Sequence, residues 1–312
     1  MLRSTAMVGD ESKLYVVTGR GLTAINQETG SILWQKHLPV EGEFQDLLVM
    51  QEERLVVYAD VEPFAREQTI YALDARTGKV KWQVKITGSL DWHKPDPGLQ
   101  TRQRHSAIRY DKGRVYLRTI WKDAVFSSIV ALDANDGTAL WHFDFGIKQM
   151  PGDAPSFAAD TLLLTDTSVY IPIFLGPLYV VDSATGTLIG MRDEWRISPV
   201  LIQDEIVTYV SGVGAVALDD QSFQELWFHS LDEEIIGIPE IVAWDDYIVV
   251  EDFPTIKIFE ADLGKQVGSI IADTVGKSEE ALTIGQCDLH LCLITSNSVY
   301  VFAVAKNESE ND

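Results

Sequence analysis

Cysteine is almost absent. Only Cys287 and Cys292 occur among 312 residues, so no disulfide framework holds this fold. Their spacing allows a hairpin disulfide of strained geometry; the expectation is two free, partly buried thiols. No apolar run approaches the roughly 18 residues that span a bilayer. The first seven residues, Met1-Leu2-Arg3-Ser4-Thr5-Ala6-Met7, hold no apolar stretch long enough for a signal peptide. Positive charge is scarce, with 25 Lys+Arg against 47 Asp+Glu and a net charge of −22. Phosphate backbones need clustered cations, so nucleic acid is excluded as a general partner.

Catalytic patterns are equally thin. None of the six histidines stands in a His-x-x-x-His pattern, and no Cys-x-x-Cys pair points to zinc. No Gly-x-Ser-x-Gly elbow presents a nucleophile. Gly19-Arg20-Gly21 and Gly212-Val213-Gly214 read as turns without the following helix of a phosphate loop. Paired carboxylates such as Asp219-Asp220, Asp245-Asp246, Glu251-Asp252 and Glu279-Glu280 lack the ligand spacing of a calcium loop. Asp245-Asp246 is read as turn chemistry. No metal and no cofactor are expected.

What the chain does contain is a repeat. Leu22-Thr23-Ala24-Ile25-Asn26-Gln27-Glu28-Thr29-Gly30, ending at Trp34, returns as Tyr71-Ala72-Leu73-Asp74-Ala75-Arg76-Thr77-Gly78 with Trp82, and as Val130-Ala131-Leu132-Asp133-Ala134-Asn135-Asp136-Gly137 with Trp141. Looser copies centre on Asp182 with Gly186, on Asp219 with Phe223 in the glycine position and Trp227, and on Glu260 with Gly264. In the fourth and sixth copies Gly190 and Gly268 stand where tryptophan would be. The acidic or amide residue and the tryptophan position lie eight apart in every copy, and the turn positions recur every 47 residues on average. That period fits propeller-type repeats of roughly 40 to 50 residues.

Each copy reads as four short strands, A to D. Strands A are expected over 5–8, 46–50, 106–110, 160–164, 199–203 and 241–244, the glycine turn is the C–D hairpin, and the tryptophan sits on D. Four-stranded units of this size cannot bury both faces alone, whereas a ring of them shares a core and leaves only short edges. The fold class is therefore all-β: a β-propeller of four-stranded antiparallel blades, about seven, filling 1–304, with a disordered polar tail over 305–312. The seventh unit lacks strand D. The expectation is an incomplete last blade or a chain truncated at its start, and a naked edge there invites a strand-donating partner.

The pattern Ala-Leu-Asp-Ala-x-Thr-Gly-x-x-x-Trp, met at Ala72–Trp82, resembles the repeat of the pyrroloquinoline-quinone-like propeller superfamily. The likeness covers nearly the whole chain, strongly in copies one to three. The resemblance implies that the repeat tryptophans pack between blades. It also implies two sorts of relative, quinoprotein dehydrogenases and non-enzymatic scaffolds of the outer-membrane protein assembly lipoprotein type. Quinone enzymes of this superfamily carry adjacent cysteines and a calcium site; here no two cysteines are adjacent. By resemblance the location is periplasmic or otherwise extracytoplasmic if a leader is missing, and cytoplasmic if Met1 is the true start.

Long loops on a rigid scaffold are where binding residues concentrate. In the first four units the D–A and B–C loops are long: 37–45, 59–69, 86–105, 119–128 and 146–159. The longest carries Trp92, His93, Arg102, Arg104 and His105, and the B–C loop opposite brings Trp121 and Lys122. From Lys94 to Lys122 eight cations face two anions, whereas from Gly190 onward 24 acidic residues face six basic ones. Tryptophan and arginine on loops are favoured interface anchors. These seven residues are the candidate partner-binding set of a non-catalytic scaffold that binds a protein or peptide through the long-loop face of blades two to four. The alternative is a quinone- or small-molecule-binding enzyme using the central channel.

Overall fold

A computed structural model of the chain describes residues 6–9, 12–18, 21–38, 48–51, 54–59, 67–87, 89–90, 108–120, 126–146, 162–173, 176–193, 200–231, 241–252, 255–271, 283–287, 290–294 and 299–302. All regular structure among them is β. The first sheet runs β1 (Ala6–Gly9), β2 (Lys13–Thr18), β3 (Gly21–Asn26) and β4 (Ile32–His37). The second is β5 (Leu48–Gln51), β6 (Arg54–Ala59), β7 (Glu67–Asp74) and β8 (Val80–Thr87). The third gains an extra member, β9 (Ser89–Leu90), beside β10 (Ile108–Asp111), β11 (Arg114–Ile120), β12 (Phe126–Asp133) and β13 (Ala139–Gly146). The fourth is β14 (Leu163–Leu164), β15 (Ser168–Pro172), β16 (Leu178–Asp182) and β17 (Leu188–Arg192).

The fifth holds β18 (Leu201–Gln203), β19 (Ile206–Ser211), β20 (Gly214–Asp219) and β21 (Glu225–Ser230). The sixth holds β22 (Ile241–Trp244), β23 (Tyr247–Asp252), β24 (Thr255–Glu260) and β25 (Gln266–Ile271). The seventh has three described strands, β26 (Thr283–Cys287), β27 (His290–Ile294) and β28 (Val299–Phe302). Each sheet is a meander in chain order, as the repeat predicts. The fold is an all-β propeller of four-stranded blades, with three described strands in the last sheet. The chain divides into two compact units, Met1–Leu164 with Val181–Thr187, and Thr165–Val180 with Leu188–Asp312.

One backbone design closes the C–D turns of the first six sheets. In the second sheet the Asp74 N–H bonds the Lys79 carbonyl and the Gly78 N–H bonds the Asp74 carbonyl, each at 2.8 Å. The Asp74 carboxylate accepts the Thr77 N–H and hydroxyl, both at 2.8 Å. These bonds hold its pKa below the usual carboxylate value, the Thr77 hydroxyl contributing most. Gly78 takes φ +66°, where a Cβ is costly. A bulge between Ala72 and Leu73 then sets Trp82 opposite Ala72. The same shift sets Trp34 opposite Ala24, Trp141 opposite Ala131 and Trp227 opposite Ala217. The eight-residue beat is thus the length of this turn plus its bulge.

The core lies between sheets. In the first unit, Tyr15, Leu22 and Ala24 pack with Tyr71, Leu73 and Ala75, and Ile70, Ala72 and Trp82 pack with Val115, Leu117 and Leu132. In the second unit, Ala217 and Trp227 pack with Ile248 and Phe259. Middle strands such as β15 are buried along their length, whereas outer strand β21 buries Trp227 and exposes Glu225, Leu226 and Phe228. Each repeat tryptophan lies on the turn glycine of the next sheet. A Cβ added to Gly78 would stand 2.7 Å from the Trp34 ring, one at Gly137 2.7 Å from Trp82, and one at Gly186 2.5 Å from Trp141; Gly264 meets Trp227 in the same way. The indole N–H of Trp34 donates to the Ala75 carbonyl, Trp82 to Ala134, Trp141 to Ser183 and Trp227 to Ala261, at 2.9 to 3.1 Å. Tyr15 and Tyr116 hydroxyls donate to the Ala75 and Ser183 carbonyls as well.

One detail departs from expectation. Cys292 is buried and disulfide-bonded, not a free thiol. The β26–β27 register sets Cys292 opposite Gly285 and Cys287 opposite His290, so Cys287, the other cysteine of the sequence, stands diagonally across the same hairpin. His229 is half-buried, unlike the exposed His37 and His142, and its ring lies 4.8 Å from that of Phe259. Residues 305–312 lie outside the described residues.

Candidate functional site

Trp92, His93, Arg102, Arg104, His105, Trp121 and Lys122 lie outside the described residues; what is described is where their loops begin and end. Strand β9 leaves the end of β8 and pairs with the end of β11, Leu90 opposite Thr119 and Ser89 opposite Ile120. Leu90 opens residues 91–107, which carry five of the seven candidates, and Ile120 opens 121–125, which carry the other two. The first loop returns at Ile108, opposite Leu117, and the second at Phe126, opposite Gly146. All four loop roots therefore sit at one end of the third sheet. The two-residue strand β9 has no alternation of its own, so no sequence signal announces it. Its pairing to β11 is what joins the two loop bases.

The cations of this segment do not form one solvated patch. Arg118 is buried on β11, its guanidinium carbon 5.4 Å from the centre of the Phe145 ring. A cation over an aromatic face gains from the ring quadrupole, and more so when desolvated. Arg109 donates to the Leu162 and Ile108 carbonyls at 3.2 and 3.0 Å, and burial lowers its pKa. Beside Arg118's neighbour Ile129, Ser128 donates a 2.5 Å bond to the Asp144 carboxylate. Arg109 thus ties the third sheet to the residue that leads into β14 and Arg118 packs within the third sheet, while Lys112 is exposed in the β10–β11 turn. Arg102, Arg104 and Lys122 remain as the loop cations of the candidate set.

A second polar group stands out in the other unit. Asp220 is buried and its Oδ1 makes no hydrogen bond. Burial raises its pKa, with Glu205, Asp219 and Asp166 adding to the effect. Its backbone carbonyl accepts the Tyr170 hydroxyl at 3.1 Å, and burial raises the pKa of that phenol too, ahead of the nearby Asp220 and Asp219 charges. Among the described residues no group of three or more His, Cys, Asp or Glu side chains could hold a metal ion. No described helix is long and apolar enough to cross a membrane.

Comparison with known proteins agrees with this architecture. The profile of a family described as outer membrane protein assembly factor BamB matches residues 2–90. The structure of BamB from Moraxella catarrhalis superposes with a TM-score of 0.59 at 18% identity, covering 96% of this chain and 83% of that one. A quinohemoprotein alcohol dehydrogenase from Comamonas testosteroni also superposes at 0.59, with 13% identity over 92% of this chain and 62% of that one. Likeness at these identities shows the fold. A serine/threonine-protein kinase, AfsK of Streptomyces griseus, is 27% identical over 148 residues, which are 45% of this chain. The match spans 16% of the kinase's length.

Proposed function

We propose that this chain, a β-propeller of the pyrroloquinoline-quinone-like repeat superfamily, is a non-catalytic scaffold that binds a protein or peptide through loops 91–107 and 121–125. The observation that carries this reading is the joining of both loop bases by the β9–β11 pairing. It pairs the roots of two segments, one carrying Trp92, His93, Arg102, Arg104 and His105 in sequence and the other Trp121 and Lys122. Aromatic and arginine side chains concentrated on a rigid base are what interface hot spots require. Loop cations in a chain of net charge −22 also orient an acidic partner. The name of the structurally similar assembly factor supports a protein partner. The three described strands of the seventh sheet leave room for a strand-donating partner as a secondary contact.

Replacing Arg102 and Arg104 together by Glu tests this. The variant should keep the circular dichroism and melting profile of the parent chain and lose capture of the partner from source-cell extract. Unchanged capture removes these loops from consideration. Likeness to the quinohemoprotein supports a second reading, a quinone- or small-molecule-binding propeller. A rise in melting temperature with pyrroloquinoline quinone plus Ca²⁺ would favour it over the scaffold.

A further inference from the structure

The seam between the fourth and fifth sheets differs from its counterparts in three ways. Where the first sheet meets the second, and the third meets the fourth, the carbonyl just after the turn acid accepts two side chains: Ala75 takes Tyr15 and Trp34, and Ser183 takes Tyr116 and Trp141. At the fourth seam Gly190 stands in the tryptophan position, so the Asp220 carbonyl takes the Tyr170 hydroxyl and β17 has no indole to add. The residue that opens the second strand of a sheet, two before the tyrosine, is Lys13 in the first sheet and Arg114 in the third, and Arg114 acts on both Tyr116 and Asp182. In the fourth sheet that residue is the buried, uncharged Ser168. Finally, Asp220 stands where neighbouring turns carry Ala75, Ala134, Ser183 and Ala261. Asp220 is 8% exposed, and its Oδ1 is sealed from water without a hydrogen-bond partner.

A buried carboxylate oxygen without a donor has lost its hydration and gained nothing in return. Burial opposes the ionisation of Asp220 first, and Glu205, Asp219 and Asp166 add to that opposition. These groups reach it from every side of the seam. Asp166 lies in the β14–β15 turn of the fourth sheet, Glu205 in the β18–β19 turn of the fifth, with Asp204 exposed beside it, and Asp219 in the same turn as Asp220. Tyr170 meets Asp220 as a neutral phenol that donates. The Arg192–Glu225 ion pair crosses the seam between outer strands β17 and β21, and among the described residues no cation is one of the groups that act on Asp220. We propose that this seam is a proton-operated latch: uptake of one solvent proton by the Asp220 carboxyl closes it in acid, and release of that proton loosens it at neutral pH. The proton removes a charge that has no counter-ion and gives the orphaned carboxyl a neutral form that is cheaper to bury. Because ionisation is opposed in the folded chain, the support is full below the unfolded pKa and is lost as pH rises through the folded one. All the residues of the latch belong to the second compact unit, and the proposal does not rest on the scaffold reading of the third-sheet loops.

Amide hydrogen exchange of the full chain, corrected for the intrinsic pH dependence of exchange, tests the latch. The reporting amides are Asp220, bonded to the Glu205 carbonyl, and Phe223, bonded to the Asp219 carbonyl. Their equivalents in the third sheet, Ala134 on Gly113 and Gly137 on Asp133, are the internal reference. Between about pH 7 and about pH 5 the protection of the reporting amides relative to the reference should rise about tenfold, which corresponds to one pKa unit. In Asp220→Asn the Phe223 amide should keep the high, acid ratio at both pH values. Asp220→Ala, which restores the residue of the neighbouring turns, should behave alike and serves if the Asn variant does not fold. A ratio in the parent chain that is unchanged or falls in acid overturns the proposal, as does a pH response that survives in either variant. A carbon-13 carboxyl signal of Asp220 that titrates in the ordinary carboxylate range overturns it too. If neither variant folds, that signal and the parent-chain ratio decide.

Discussion

The turn from β7 to β8 and the turn from β20 to β21 occupy equivalent places and solve the same packing problem in opposite ways. The first reads Asp74-Ala75-Arg76-Thr77-Gly78 and receives the Trp34 ring on its glycine. The second reads Asp219-Asp220-Gln221-Ser222-Phe223 and turns its own ring toward Gly190, which stands where the preceding outer strand would carry tryptophan. Hydrogen bonding is unchanged, since Asp219 accepts the Ser222 N–H and hydroxyl as Asp74 accepts those of Thr77. Only the side supplying the aromatic ring has changed. The sixth sheet shows a third solution. Gly268 replaces tryptophan on β25, and its cross-strand neighbour is Ile258 where tryptophan-bearing strands face alanine. What persists through all three is filled volume at the seam, as close packing demands.

The largest expected effect comes from emptying the seam. Trp82→Ala removes a ring that is 7% exposed and bonded to Ala134, and should cost about 3–5 kcal/mol in chemical denaturation. Trp34→Ala should cost less, because that ring is only half-buried. The inverted pair gives a sharper test. Gly190→Trp alone overpacks against Phe223, and Phe223→Gly alone leaves a void, each costing about 1–3 kcal/mol. Together they should recover at least about 1 kcal/mol of the summed loss in a double-mutant cycle. Additive losses would show that volume is not what couples the two positions.

Smaller effects separate the two acidic turns by pH. The raised pKa of Asp220 means that its ionised form opposes folding. Its contribution is most favourable below the unfolded pKa and is lost as pH rises through the folded value. Asp220→Asn should therefore raise the melting temperature at neutral pH and give no gain in acid. The lowered pKa of Asp74 carries the opposite sign. Its support is present above the unfolded pKa and is lost as pH falls through the folded value. Asp74→Ala should lower stability at neutral pH by about 1 kcal/mol or less, because the turn is solvent-screened, and the difference should vanish in acid. Melting curves of each variant against the parent chain at several pH values check both signs.

Much of this was legible beforehand because the turn is local. Asp74, Thr77 and Gly78 close one hairpin by bonds between residues three and four apart, so their spacing recurs wherever the hairpin does. The substitutions at Gly190 and Phe223 were visible as two separate departures from the repeat. That one compensates the other depends on a contact across 33 residues of sequence. The candidate loops were legible from their length and composition, but the link between their bases was not, since Ser89 and Leu90 form too short a strand to show alternation. Charge misled in one respect. Arg109 and Arg118 add to the basic run in sequence, yet one bonds backbone carbonyls and the other lies over Phe145.

By itself the sequence determined the blade. Alternation, Asp-x-x-Thr-Gly turns and the tryptophan beat depend on backbone geometry within a few residues, and that geometry is the same wherever the pattern is written. Tertiary structure alone decided which ring fills which seam, which arginines are taken inside, and that Gly30 faces solvent while its counterparts are covered. Those outcomes depend on what a neighbouring sheet presents, and a repeat that looks alike at every position carries no record of which neighbour it will meet.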